Sequence, residues 1–431
     1  MIGVPKFNMA APIEVLITSD VSGQLWNSCI WDLNSGASLS CYKGDATNHR
    51  SLCILGGQYL LGASCTKPLI NVWALQRREQ HQLKMICAGK VNSLTVTHDG
   101  TYCVAAVAEN IHIWQVCTGN LLVVLTRHYQ AVNVIRFTDN GSHFVSGGED
   151  NLVMVWPLAS VLTCIHNPSV KPEPLRIWSS HSLPVTDVHV GRGGAQSRVV
   201  SSSLDQTCKI WDIVSGDLLQ TILFPGSVLS VTMDAAELRV FAGSSSGHVY
   251  CVHLYGQPIK FERHVEDQDP EGVICYKGHS KQVTCLCVSM DGSKLVSGSH
   301  DSSVKIWDIF SGQCIRTLPH KGHVTNTVIV PTPQAVLDPA VKPTLPLQSF
   351  KRHLVSERRD DTGADSRVLS LRIPSSLGRE QKFEENLFDN QDGSVEMGTS
   401  EASKEELKRL KVINRELYTF AVDNILNKQV T

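Results

Sequence analysis

Cys208-Lys209-Ile210-Trp211-Asp212-Ile213 and Val304-Lys305-Ile306-Trp307-Asp308-Ile309 are two copies of one short β-rich run, and the fold follows from its recurrence. Looser copies read Ser28-Cys29-Ile30-Trp31-Asp32-Leu33, Ile70-Asn71-Val72-Trp73-Ala74-Leu75, Ile111-His112-Ile113-Trp114-Gln115-Val116 and Val153-Met154-Val155-Trp156-Pro157-Leu158. A seventh, Val249-Tyr250-Cys251-Val252-His253-Leu254, carries Val252 at the tryptophan position. Successive positions are separated by 42, 41, 42, 55, 41 and 55 residues.

A period near 40 to 45 residues with Gly-His and Trp-Asp marks predicts an all-β, seven-bladed WD-repeat β-propeller with four strands per blade. Inner strands are expected at 51–55, 91–97, 132–137, 185–190, 228–233, 283–289 and 324–330. The last has no second and third strands after it, and the first strands, 13–17 and 27–33, have no inner strand before them. The two chain ends therefore complete one blade together, which hides strand edges that would otherwise stay unpaired. Truncation before Val330 should open the ring.

The reading divides the chain into a disordered extension over 1–12, a propeller over 13–330 and a Pro-rich connector over 331–355. A polar, largely disordered linker over 356–402 and an amphipathic coiled-coil helix over 403–428 follow. The connector, with Pro331, Pro333, Pro339, Pro343 and Pro346, should form neither strand nor helix and should run along the propeller. In the linker, the alternating run 368–373 resembles an edge strand or docking peptide. In the tail, Ser403-Lys404-Glu405-Glu406 is a capping-box sequence, and Leu410, Ile413, Leu417 and Phe420 follow at three- and four-residue steps. A lone helix of that length is marginal in water, so its apolar stripe should pair with itself, bind another chain or pack back on the propeller.

With 39 basic and 41 acidic residues the net charge is -2, which argues against a nucleic-acid surface built on bulk positive potential and leaves a local basic patch open. No apolar run is long enough to span a bilayer and no signal peptide is evident, so a soluble intracellular protein is expected. The 14 cysteines include no C-x-x-C pair and are expected to behave as small buried hydrophobes, with no metal site and no cofactor.

Two repeats carry a set of polar residues expected to fix a blade: His181, Ser203, Asp205 and Trp211 in one, His279, Ser299, Asp301 and Trp307 in the other. In both, Asp stands six before Trp and Ser two before Asp. A buried Asp in a turn needs hydrogen bonds, and His, Ser and the indole N–H can supply a chain of them. Asp, His and Ser together suggest a hydrolase triad, but this spacing is structural and no catalytic residue is assigned. Asp150 and Trp156, with His128 before them, read as a partial set because Gly148 takes the Ser position. The blades of Trp31, Trp73, Trp114 and Val252 are expected to lack the network. Inner strands offer only Asp187 and His189 as groups suited to chemistry in a central channel.

Both 55-residue intervals place their extra residues between third and outer strands, at 160–174 and 255–272, and a third irregularity is the turn 191–197. All three belong to one face. They form a candidate partner-binding patch with Arg192, Arg198, Lys260 and Arg263 beside the acidic Glu266, Asp267 and Asp269.

Segments beyond the generic repeat carry a family resemblance: Met9-Ala10-Ala11-Pro12, the run from Cys117 to Val123, Arg127-His128-Tyr129-Gln130, Ser202-Ser203-Leu204-Asp205-Gln206-Thr207 and Lys411-Val412-Ile413-Asn414-Arg415-Glu416-Leu417. Over nearly its whole length the chain resembles the propeller subunits of the pre-ribosome maturation complex. The resemblance implies a non-catalytic scaffold of the nucleolus and nucleoplasm, with a cytoplasmic pool, supporting large-subunit assembly and internal-spacer rRNA processing. It implies as partners a proline-, glutamate- and leucine-rich scaffold protein, a testis-expressed helical-repeat subunit, and a midasin-type ATPase acting on pre-60S particles. It further implies that the tail helix makes a homodimer. The rivals are a substrate adaptor of a cullin ubiquitin ligase and a cytoplasmic assembly factor for other complexes. Such ligase adaptors resemble one another in W-D-x-R, whereas the Arg position here holds Asn34, Val214 and Phe310.

Overall fold

The computed structural model describes residues 12–22, 26–77, 80–165, 171–255, 261–265, 273–338 and 341–354, all within the compact unit Met1–Arg359. The extension over 1–11, Lys260, Glu266, Asp267, Asp269, the linker from 356 and the tail helix with Leu410, Ile413, Leu417 and Phe420 lie outside the described residues.

Seven sheets, antiparallel apart from one added strand, form a closed series. Blade 1 is built from both ends of the chain: Val324–Pro331 is its inner strand, followed by Glu14–Asp20, Ser28–Asp32 and Ser38–Tyr42. Glu14 pairs with Pro331 and the register continues to Asp20 opposite Val324, with a bulge at Ser19/Asp20. The seam is reinforced by a Ser19–Thr325 hydroxyl contact of 2.8 Å and by Val21 N–H donating to the His323 carbonyl at 3.0 Å. The inner strands of blades 2 to 7 are Thr47–Leu55, Val91–Val96, Val132–Phe137, Val185–Val190, Val228–Met233 and Val283–Val288.

Each second strand is buried on both faces because it is sandwiched between neighbouring blades. This explains why Tyr59–Ser64 and Phe144–Gly148 are continuous in burial rather than alternating. Where blades press closest the second strand carries glycine. A Cβ on Gly147 would lie 2.8 Å from Val185, and one on Gly298 would lie 2.6 Å from Val324, in each case the first valine of the next blade's inner strand.

Several expectations need correction. The insertion after blade 4's third strand, read as loop, starts with a short helix, α1 (Leu158–Thr163), whose Leu158 and Val161 are buried beside blade 3's outer-strand residues Val123 and Leu125. The insertion of blade 6 contributes Glu262–His264, which adds in parallel to the outer strand Leu218–Leu223 of blade 5 and makes that sheet five-stranded. Cys29 and Cys41, read as separate hydrophobes, stand opposite each other on paired strands of blade 1 and form a disulfide. Burial holds other thiols protonated, pushing Cys53, Cys87, Cys251 and Cys287 up to about 12.

The connector runs along the propeller as expected, but it is not free of strand and helix. The inner strand of blade 1 runs through Pro331, and a one-turn helix, α2 (Gln334–Leu337), buries Ala335 in the core between blades 1 and 2. Residues 341–354 then form a strap across the turns of blades 2 and 3. Gln58 receives the backbone N–H groups of Thr344 and Leu345 at 2.8 Å each, and Lys351 N–H donates to the Gly119 carbonyl at 2.8 Å. Phe350 is 5% exposed and stacks on Trp114, with ring centroids 5.2 Å apart and planes 10° from parallel. The Trp114 indole donates to the Lys351 carbonyl at 2.9 Å. Strand register explains the need. The outer strands before blades 2, 5 and 7 present Tyr42, Trp178 and Tyr276, each reaching a turn carbonyl of the next blade. The strand before blade 3 has Met85 at that place, so the second ring comes from the strap.

Candidate interaction surfaces of the propeller

Three blades hold a complete polar chain, and the serine in it is not the one expected. In blade 5, His181 Nδ1 meets Asp205 at 2.9 Å, while its Nε2 meets Ser201 Oγ at 2.8 Å, and the Trp211 indole donates to the same Ser201 Oγ at 2.9 Å. In blade 7 the chain is Asp301–His279–Ser297–Trp307, with contacts of 2.8 Å throughout. Ser203 and Ser299 instead close the turn: each hydroxyl donates to a carbonyl, of Leu183 and Lys281, and accepts the backbone N–H of its Asp. The reason is reach, since the indole lies diagonally across the hairpin from the residue ten before it, while Ser203 ends the strand and Asp205 lies in the turn two residues beyond. Blade 4, read as partial because of Gly148, is therefore complete: Asp150, His128, Ser146 and Trp156 are linked by contacts of 2.8, 2.8 and 3.0 Å. Blade 1, expected to have none, keeps a shorter chain in which Thr18 Oγ1 meets His320 Nε2 at 2.9 Å and takes the Trp31 indole N–H at 2.8 Å.

These side chains are committed to structure. Burial alone would raise the Asp205 carboxyl, but hydrogen bonds from His181 and Thr207 outweigh it and hold it well below the usual carboxylate range. Asp150 and Asp301 are lowered in the same way. The donors and acceptors that would suggest nucleophile chemistry already satisfy one another.

The axis of the ring is spanned by a side chain. Blade 2's inner strand carries extra residues between Thr47 and Leu52, and Arg50 takes a left-handed backbone (φ 52°) there. Its Nε reaches Asp187 of blade 5 at 3.0 Å and its Nη2 reaches the Leu229 carbonyl of blade 6 at 2.6 Å. The second Asp187 oxygen accepts Val231 N–H at 3.1 Å. Asp187 is thus used as a tie across the channel. Burial, with Arg136 nearby, lowers His189 to about 4 and keeps it neutral. No cluster of three or more metal-ligating side chains occurs among the described residues.

The face that carries turns between first and second strands and between third and outer strands is different. Of the residues expected to form a docking patch there, Arg198 contacts the Tyr255 hydroxyl and lies 5.3 Å over its ring, which ties blade 5 to blade 6. Arg192 is exposed on the neighbouring turn, where its backbone and that of Gly193 face the half-buried Glu237, a carboxyl raised by burial. Arg263 turns inward and donates to the His253 carbonyl at 2.7 Å, so it braces the insertion. Residues not anticipated dominate this face: Val214, Leu238, Tyr255, Met290 and Phe310 are all exposed, with Phe310 at 76%. Arg239 continues the line, held by Asp234 at 3.0 Å, bonded to the Gly292 carbonyl and lying 5.5 Å over the Phe310 ring. Met290 N–H donates to Glu14 of blade 1 at 2.9 Å. The result is an arc of exposed apolar turn residues from blade 5 to blade 7. Single exposed turn residues leave no periodic trace in sequence, which is why it was not legible there.

A closed seven-bladed ring with repeated Asp-His-Ser-Trp chains and an occluded axis defines a WD-repeat propeller, a class that generally works as non-catalytic scaffold. Residues 119–157, 172–212 and 271–308 match the WD domain, G-beta repeat family, and these stretches hold the three complete chains' tryptophans. The chain is 44% identical over 426 residues to human WD repeat-containing protein 18, covering 96% of this chain and 98% of that one. It is 43% identical over 429 residues to the zebrafish protein of the same name, with the same coverage. The chain belongs to the WD repeat-containing protein 18 family. A more distant likeness, 24% over 329 residues, covering 74% of this chain and 61% of the other, is to the Caenorhabditis elegans pre-rRNA-processing protein pro-1. None of these relatives is named as an enzyme.

Proposed function

We propose that the chain is a scaffold subunit of a nucleolar and nucleoplasmic complex that supports large ribosomal subunit assembly and internal-spacer rRNA processing. The observation that supports a binding role is the pairing of a side-chain-spanned axis with a set of exposed apolar residues on the turns of one face. Large apolar residues exposed together on one face mark candidate protein contact sites. The pre-rRNA-processing name of a distant relative supports the ribosomal assignment. On this reading the arc, with Arg192 and Arg198 at its edge, docks a subunit of the complex, helped by Lys260, Glu266, Asp267 and Asp269 of the same insertion, which Arg263 braces. The partners are the proline-, glutamate- and leucine-rich scaffold protein and the testis-expressed helical-repeat subunit, which bring the assembly to the midasin-type ATPase on pre-60S particles. Leu410, Ile413, Leu417 and Phe420 supply a dimerising seam.

The test is affinity purification of the full chain, of a Phe310→Asp/Tyr255→Asp variant and of a chain ending at Thr399, each followed by analysis of rRNA precursors in depleted cells. Loss of partner subunits with the arc variant and accumulation of internal-spacer precursors are expected. Intact capture and normal processing by that variant would defeat the docking assignment, and an unchanged sedimentation mass without the tail helix would defeat the dimer.

A further inference from the structure

The turns on the opposite face gather positive charge at one place although the whole chain is nearly neutral. The turn before blade 7 carries Lys277 and Lys281, and the turn that leads into blade 1's inner strand carries Lys321 and His323, all exposed. Between them sits His300, whose ring stacks on that of His323 with centroids 4.6 Å apart and planes 20° from parallel. The stack is fixed, because His323 Nδ1 lies 2.6 Å from the His300 carbonyl and Gln282 Nε2 lies 2.9 Å from His300 Nδ1. His49, at the mouth of the axis, places its ring 6.1 Å from His300. Of the carboxylates on the same turns, Asp301 is held by His279 and the Ser280 N–H, and one oxygen of the buried Asp20 accepts the Ser22 hydroxyl and N–H. Burial lowers the His300 imidazole, and the charges of His323 and Lys281 lower it further. His49 falls to about 4 through burial, with Arg50 and His300 adding to it. Lys281 and Arg50 thus add positive potential at these two rings.

We propose that the blade 7 to blade 1 rim, with Lys281 beside the His300–His323 stack and Lys277 and Lys321 on the same two turns, binds single-stranded RNA. Lysines that neutralise phosphates supply salt-dependent affinity, and flat rings held beside them take unstacked bases. A ring stack favours a nucleobase over an acidic polypeptide, which would need cations alone. The inference deepens the ribosomal reading above but rests on this geometry.

Full-length chain titrated into a fluorescein-labelled single-stranded RNA of mixed sequence, read by anisotropy, tests it. Wild-type affinity should fall steeply between about 50 and 200 mM salt. K277E/K281E/K321E should weaken binding at least about tenfold and flatten the logarithmic salt slope by about two units. H323A should weaken binding about tenfold and leave that slope unchanged. If the triple variant loses its thermal transition, K281E and H323A alone carry the test. Absence of RNA binding by the wild type, an unchanged affinity in the variants, or tighter binding of labelled polyglutamate overturns the proposal. Complementation of depleted cells separates the two claims: a wild-type chain that restores precursor processing without binding RNA sinks this inference and leaves the scaffold role standing.

Discussion

Replacing Phe350 with alanine measures whether the strap is part of the folded ring. Phe350 lies outside the seven sheets, yet it is nearly fully buried, stacks on Trp114 and shares a core with Met85, Cys87 and Leu121. Truncating a buried phenylalanine costs about 3–5 kcal/mol. The strap can relax toward blade 3 more easily than a central strand, so the lower end, about 3 kcal/mol, is expected. For a ring of this size that is a fall of roughly 4–6 °C in Tm. Urea and thermal unfolding followed by tryptophan emission is the assay, since loss of the ring also bares the Trp114 indole. Leu354→Ala is the control: this side chain is half exposed and its loss should stay within about 0.5 kcal/mol. If F350A shifts the midpoint no more than L354A, the strap contributes nothing to stability and the argument from Met85 is wrong.

Removing the hydroxyl of Ser201 strands both His181 Nε2 and the Trp211 indole N–H, so S201A should cost about 2–4 kcal/mol and S203A about 1 kcal/mol in urea unfolding; equal costs would refute the assignment of Ser201. Arg50→Met leaves Asp187 buried without its cation and should cost about 3–5 kcal/mol, most of it recovered by adding Asp187→Leu; simple additivity in that cycle would sink the tie across the axis. Acid should act in two windows. His49 and His189 titrate near 4 when folded and near 6.5 when unfolded, so stability is full above about 6.5 and falls as pH drops toward 4, by up to about 1.4 kcal/mol per unit for each group. Below that, the depressed Asp150, Asp205 and Asp301 lose their contribution as they protonate. A midpoint of urea unfolding that stays flat from pH 7 to pH 5 would contradict the first window.

The tryptophan spacing made blade number and ring closure readable, because both depend on strand period and on counting inner strands against the rest. The error over Ser203 came from judging serines by their distance to Asp; their distance to Trp was the better guide, since Ser146, Ser201 and Ser297 all stand ten before it. Blade 1 was passed over because Thr18 replaces serine and its histidine, His320, comes some 300 positions later in the chain. That the connector runs along the propeller was legible, but its anchoring through Phe350 was not. An extended proline-bearing segment has no hydrophobic period, and only the absence of an aromatic at Met85 could have hinted that Trp114 needed a ring from elsewhere. Arg50 was missed because a bulge moves a residue from a strand's face into the axis without altering composition.

Joining the two ends of the polypeptide within one sheet has a consequence for biosynthesis. Ser19 meets Thr325 across 306 positions, so a nascent chain growing at about 5–20 residues per second holds its first hairpin with a naked rim for roughly 15–60 seconds. During that interval the newborn molecule is at its stickiest. Any premature stop codon upstream of Val324 makes the condition permanent, yielding a product that proteostasis must clear rather than a shortened but serviceable subunit.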